Sequence, residues 1–337
     1  MRFILLCLAA LAMSAQAIAA DEVNIYSAQK EHLIRPLLDA FTEQTGIEVN
    51  FTSGSPDALL TRLEKEGQHT PADLLLTVDI GNIYQAKEKG VLQAIESDYL
   101  NERIPSHLRG PDGQWYGVAV RARALFYDSE RNPRDGFACR YEALSSDMWE
   151  DSVLIRSSNN IYNQSLLASL IAHNGAEAAE QWAAGVVRNM AKKPEGGDRD
   201  QLRALAVGEG NIAVSNTYYY GLLLNSEDPR DRELAQKITL CFPNQDGRGT
   251  HVNVRGGGVT AHAKNKDNAI KLMEFFVSDE GQRFFTNHNY EYPAVPSVAP
   301  NETVAKWGEF KQDTLNLEQV GKYNAEAVKI FDRVSWQ

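Results

Sequence analysis

Pro71-Ala72-Asp73-Leu74-Leu75-Leu76-Thr77-Val78-Asp79 decides how the rest of the chain is read. From Ala72 to Thr77 the run is almost continuously apolar, bounded by a proline on one side and Asp79 on the other. A strand with one wet face alternates; a strand buried on both faces, as in a parallel sheet covered by helices, does not. Outward from this strand the period becomes helical. Residues 80–89 form a helix that Gly90 stops, and Ser55-Pro56 opens another on the near side. Further back lie a strand over 48–52, a helix with Leu33, Leu37, Leu38 and Phe41 on one face and Gly46 as its stop, and a strand over 23–26. The order β-α-β-α-β-α predicts a doubly wound α/β lobe.

The rhythm then changes. Residues 116–128 read as one long strand, with Val118, Val120, Ala122, Ala124 and Phe126 on an alternating face, long enough to cross between lobes. Beyond it the βα alternation restarts with a strand over 153–155, a helix over 162–174 ended by Gly175, a helix over 176–192 and a strand over 212–215. Two strand-like segments, 238–242 and 250–259, return the chain to the first lobe. A single helix over 267–287, with Ala269, Leu272, Met273 and Phe276 on one face, follows. The expected architecture is two α/β lobes joined by crossing strands, with a ligand in the cleft between them.

Composition sets the class. The chain has 337 residues, 43% hydrophobic and 23% charged, the profile of a soluble globular protein large enough for two domains. Arg2, an apolar run over 3–13, and the small-x-small patterns Ala15-Gln16-Ala17 and Ala17-Ile18-Ala19 mark residues 1–20 as a secretory signal peptide and the periplasm as destination. The apolar run falls short of the ~20 residues of a membrane span. Losing Arg2 takes the formal net charge from −11 to −12, which disfavours nucleic acid as a partner. Cys7 leaves with the signal. Cys139 and Cys241 remain and share an oxidising compartment, but sequence leaves open whether they pair.

Catalytic signatures are absent: no HExxH, no Walker loop, no GxSxG elbow. Gly256-Gly257-Gly258 lacks dinucleotide spacing and reads as a bulge or close backbone packing within a strand. His173 reads as a helix-end residue, and Asp198-Arg199-Asp200 as a helix N-terminus.

The informative stretch is Ser215-Asn216-Thr217-Tyr218-Tyr219-Tyr220-Gly221, three tyrosines directly after a buried strand, where α/β folds place ligand-contacting loops. Packing of these rings against a neighbouring helix is the plainer alternative. The chemical reading is that a trivalent hard cation stabilises phenolates and displaces their protons, and that hard anionic oxygens favour Fe(III) over copper or zinc.

At this point the sequence resembles the ferric-iron-binding proteins of periplasmic ABC importers, over essentially the whole mature chain. The likeness is carried by Asn24-Ile25-Tyr26-Ser27, Pro71-Ala72-Asp73, Thr77-Val78-Asp79, Val120-Arg121-Ala122-Arg123 and the run from Arg156 through Ile161-Tyr162-Asn163-Gln164-Ser165. It continues in Asn216-Thr217-Tyr218-Tyr219, Pro243-Asn244-Gln245-Asp246-Gly247-Arg248-Gly249 and Glu291-Tyr292-Pro293. The resemblance implies a two-lobed periplasmic-binding-protein fold, type II-like, with crossing hinge strands. Residues 21–122 and 248–298 would form the N-terminal lobe, and 123–247 and 299–337 the C-terminal lobe. It implies Tyr162, Tyr218 and Tyr219 as iron ligands, with Tyr220 left to packing. It implies a non-catalytic capture protein, monomeric and not membrane-spanning, that delivers Fe(III) to an inner-membrane permease.

The first lobe departs from the family's patterns. Where branches of the family place His-Tyr, His and Glu, or a carbonate-holding arginine, this chain has Gln29, Lys30, Glu31 and Val78. Asn159-Asn160-Ile161 replaces a phosphate-holding Ser-Gly-Ala. The expectation is a three-tyrosine site completed by an exogenous anion such as carbonate, or by water, with Gln29, Lys30 and Arg121 as candidate anion contacts and Glu31 as a further candidate ligand. Two other readings stay open: a receptor for a small organic cation or carboxylate, using the tyrosines as a cation–π box, and a periplasmic hydrolase or lyase, for which no acid/base pair is evident.

Overall fold

The computed structural model describes residues 21–131 and 138–337. The expected signal peptide, residues 1–20, lies outside them.

The first half of the chain builds β1 (Glu22–Ser27), α1 (Arg35–Thr45), β2 (Glu48–Ser53), α2 (Pro56–Glu66), β3 (Leu74–Leu76), α3 (Ile80–Glu88) and α4 (Asp98–Arg103). Local chemistry explains the boundaries. Ser55 accepts the Ala58 N–H and Pro56 pre-sets the first turn of α2, while the Asp79 carboxylate accepts the Gly81 N–H and starts α3. Gly46 closes α1 in the left-handed conformation, φ 72°. Leu33 is a correction: it sits in a short 3-10 turn before α1 and is 45% exposed, off the buried face formed by Leu37, Leu38 and Phe41.

Next come β4 (Tyr116–Tyr127), β5 (Val153–Leu154), α5 (Ile161–Asn174), α6 (Ala176–Arg188), α7 (Asp198–Ala206), β6 (Ile212–Asn216), α8 (Thr217–Leu224), α9 (Pro229–Gln236) and β7 (Thr239–Cys241). The chain ends with β8 (Val252–Val259), α10 (Lys266–Phe276), α11 (Asp279–Asn289), β9 (Tyr292–Pro293), α12 (Glu302–Ala305) and α13 (Leu317–Arg333).

The sheet order is β2-β1-β3-β8-β4-β6-β5, with β7 and β9 also on β4. β1, β2 and β3 are parallel, and β8 runs antiparallel to both β3 and β4. β4 is the crossing strand. Its first part, Tyr116 to Ala122, pairs with β8, and its last part, Arg123 to Tyr127, pairs with β6 and β7. All twelve residues of β4 are buried, because a strand shared by two covered sheets has no solvent side. α13 packs against both α3 and α5 and so ties the two sheet systems together.

Three other expectations change. The helix over 267–287 is two helices, interrupted at Val277-Ser278, where Ser278 accepts the Gly281 N–H and starts α11. The helix expected over 176–192 ends at Arg188. Cys139 and Cys241, left open by sequence, form a disulfide across 102 residues. The three consecutive glycines lie in β8 under close packing: a Cβ on Gly257 would meet the Met273 sulfur at 2.6 Å, and one on Gly258 the Gln114 carbonyl at 2.7 Å.

Candidate metal centre

Tyr162 stands in the first turn of α5, and Tyr218 and Tyr219 in the first turn of α8, where β6 turns directly into helix. The two segments lie 56 residues apart in the chain, yet the Tyr162 and Tyr218 hydroxyls are 3.3 Å apart. The rings of Tyr218 and Tyr219 lie 4.0 Å apart at 32°. Oxygens each about 2 Å from one octahedral ion sit roughly 3 Å apart at adjacent positions, so the first pair already has the separation of two donors to a single centre. Helix first turns also favour negative charge, which suits phenolates. Tyr220 points elsewhere: it is buried against Phe126 and Trp307, and its hydroxyl donates to the Ile238 carbonyl at 3.1 Å.

Electrostatics hold the Tyr218 and Tyr219 phenols protonated in the absence of a cation. Burial pushes the Tyr218 hydroxyl well above its ordinary value of 10, and the neighbouring Tyr162 and Tyr219 oxygens add to the shift, against a smaller pull from Arg121. Burial also raises Tyr219, with Tyr162 and Asp198 adding, and Arg156 and a hydrogen bond with Tyr218 opposing. Three acidic oxygens crowded together cannot share ionisation unless a positive ion sits among them.

The first-lobe candidates fare unequally. Gln29 is 6% exposed and neither polar atom of its amide has a hydrogen-bond partner among the described residues. Lys30 is exposed. Glu31 is engaged by Arg35 along the helix surface. Arg121 is buried, donates to the Val254 carbonyl at 2.9 Å, pairs with Glu291 at 3.4 Å, and lies over the Tyr162 ring at 5.3 Å. Its Nε has no partner among the described residues. Among those residues no cluster of three His, Cys, Asp or Glu side chains could hold a metal.

Sequence reading passed over a buried polar layer behind the tyrosines. Arg123, Asp198, Asn163 and Asn216 are each no more than 3% exposed, and Arg156 joins them. Asp198 had been read only as part of a helix N-terminus. It is one, but its carboxylate is also the acceptor for Arg123, Arg156 and the Asn216 N–H. The signal is a pair of arginines, Arg121 and Arg123, inside an otherwise apolar strand. His173 does end its helix, with Nε2 2.6 Å from Asp313.

A crossing strand, two sheet systems and a polar site at the meeting of two helix N-termini define a two-lobed binding protein of the periplasmic-binding-protein fold. The chain belongs to the bacterial extracellular solute-binding protein family, whose model matches residues 69–311. It is 43% identical to iron uptake protein A1 of Synechocystis over 317 residues, 94% of this chain and 88% of the relative. Among solved structures it is similar to a Trichodesmium protein in complex with iron and citrate ligands, at 44% identity and TM-score 0.90, covering 94% of this chain and all of that one. It also resembles the ferric binding protein of Campylobacter jejuni, at 42% identity and TM-score 0.89 over the same shares.

Proposed function

We propose that this chain is the periplasmic, non-catalytic receptor of an ABC iron importer, and that it captures Fe(III) with Tyr162, Tyr218 and Tyr219. The observation that carries the reading is the 3.3 Å approach of two tyrosine hydroxyls from distant segments, with Tyr219 stacked beside them. The likeness to iron-uptake and ferric-binding proteins supports the choice of ion. In this reading residues 21–122 with 248–298 form one lobe, 123–247 with 299–337 the other, and the protein acts as a monomer that hands its ion to an inner-membrane permease.

Capture proceeds by proton exchange. The ion displaces phenolic protons, the tyrosinates neutralise its charge, and closure of the first lobe excludes water and competing chelators. Gln29 and Arg121, whose amide and Nε lack partners among the described residues, are the contacts proposed for a completing anion by hydrogen bond and charge; Lys30 adds charge at the rim. Carbonate suits that role, and so does a carboxylate such as the citrate held with iron by the Trichodesmium protein.

The test is spectroscopic. Tyrosinate-to-Fe(III) charge transfer gives the loaded wild type a red to purple band. Tyr218→Phe removes one donor and should bleach or shift the band and weaken iron retention against citrate by about 10-fold or more, whereas an unchanged spectrum would refute the assignment.

A further inference from the structure

The buried layer behind the tyrosines has a geometry that packing alone does not require. Arg123, in the crossing strand β4, spreads one guanidinium over three side chains. Its Nη2 donates to the Asn163 carbonyl oxygen at 2.7 Å, and its Nη1 donates to Asp198 and to the Asn216 carbonyl oxygen at 3.3 Å. Asn163 is the residue after Tyr162, and Asn216 stands two residues before Tyr218. The Asn163 amide in turn donates to the Arg156 and Ser157 carbonyls at 2.7 and 3.2 Å, fixing the loop that enters α5. Asp198 accepts the Asn216 backbone N–H at 3.1 Å and Arg156 at 2.9 Å, fixing the entry to α8. One planar cation therefore holds the starts of both tyrosine-bearing helices in a single frame.

We propose that Arg123 and Asp198 are positioning residues for iron: through Asn163 and Asn216 they set the separation of Tyr162 from the Tyr218–Tyr219 pair. This rests on the ferric reading above and adds to it the device that pre-organises the donors. The guanidinium fork suits the task because it donates in two directions within one plane, which a lysine ammonium does not do in fixed geometry. Neither residue touches the ion. Partners behind metal ligands, when lost, cost affinity because the ligands must then be ordered at binding.

The test compares Arg123→Lys and Asn163→Ala with wild type, each loaded with Fe(III) and then challenged with citrate. Asn163→Ala leaves the Arg123–Asp198 ion pair in place and removes the Asn163 arm, both its bond from Arg123 and its bonds to the Arg156 and Ser157 carbonyls, so it decides the matter if Arg123→Lys fails to fold. Both are expected to shift the charge-transfer band and to lose about 10- to 100-fold in iron retention, at a temperature where circular dichroism shows the apo-proteins folded. Folded variants with the wild-type band and retention, altered only in melting temperature, would overturn the proposal and reduce the network to scaffolding. A wild type that stays colourless with Fe(III) sinks the ferric reading and the proposal with it. A coloured wild type matched by its folded variants sinks the proposal alone.

Discussion

At the scale of single residues, the proposed donors are Tyr162, Tyr218 and Tyr219, the first two with hydroxyls 3.3 Å apart. The sequence points to Tyr218 and Tyr219 by a tyrosine run directly after a buried strand, and to Tyr162 by the family resemblance its motif carries. The pairing of Arg123 with Asp198 is not legible in sequence, because neither a charge in a strand nor one at a helix start carries a record of its partner across 75 residues. Asp79 is a similar case. It caps α3, accepts the Ser165 hydroxyl of α5 at 2.6 Å, and leaves Oδ2 without a partner among the described residues. Burial raises its carboxyl from 3.8 to about 6, against the pull of Arg121 and its hydrogen bonds. A folded-state value above the unfolded one means the folded protein holds the proton more tightly. The stability this group contributes is full below about pH 4, is lost as pH rises to about 6, and is absent beyond. Asp79→Asn keeps an acceptor for Ser165 and for the Gly81 N–H but removes the charge. Urea unfolding of the apo-protein should show the variant gaining on wild type between pH 4 and 7, by up to about 3 kcal/mol. A difference independent of pH would contradict this.

At the scale of elements, strands and helix starts were read well where a local device marks them, as at Ser55-Pro56, Asp79 and Gly46. The misreadings came from tertiary context. β4 keeps an alternating pattern, but a second sheet and covering helices bury both of its faces. The α10–α11 break was missed because apolar periodicity runs through it without a glycine or proline to stop the first helix. The break is built instead on a close approach: a Cβ on Gly281 would clash with the Phe275 carbonyl and come within 2.6 Å of the Phe276 carbonyl, both backbone. Gly281→Ala should therefore cost about 1–3 kcal/mol of stability, measured by urea titration. The iron band should stay unchanged, because α11 carries none of the proposed ligands. A neutral substitution would mean that the turn between the helices yields easily.

At the scale of the whole molecule, the two sheet systems share β4, are fastened by α13, and bring the starts of α5 and α8 to one place. The fold was legible as two lobes with crossing strands because βα rhythm, interruption and return are all patterns in one dimension. What completes the proposed site is not legible in sequence, because Gln29, Lys30, Glu31 and Val78 depart from the donor patterns of the family. The account's central claim is that Tyr218 and Tyr219, which burial keeps protonated, are ionised together with Tyr162 by one Fe(III). It is tested most directly by titrating weakly buffered apo-protein with Fe(III) while recording the visible band and the protons released, after subtracting those from iron hydrolysis. The account predicts a band that saturates at one iron per chain, with about three protons released for each ion bound. A colourless titration, or binding that releases no protons from the protein, would contradict it.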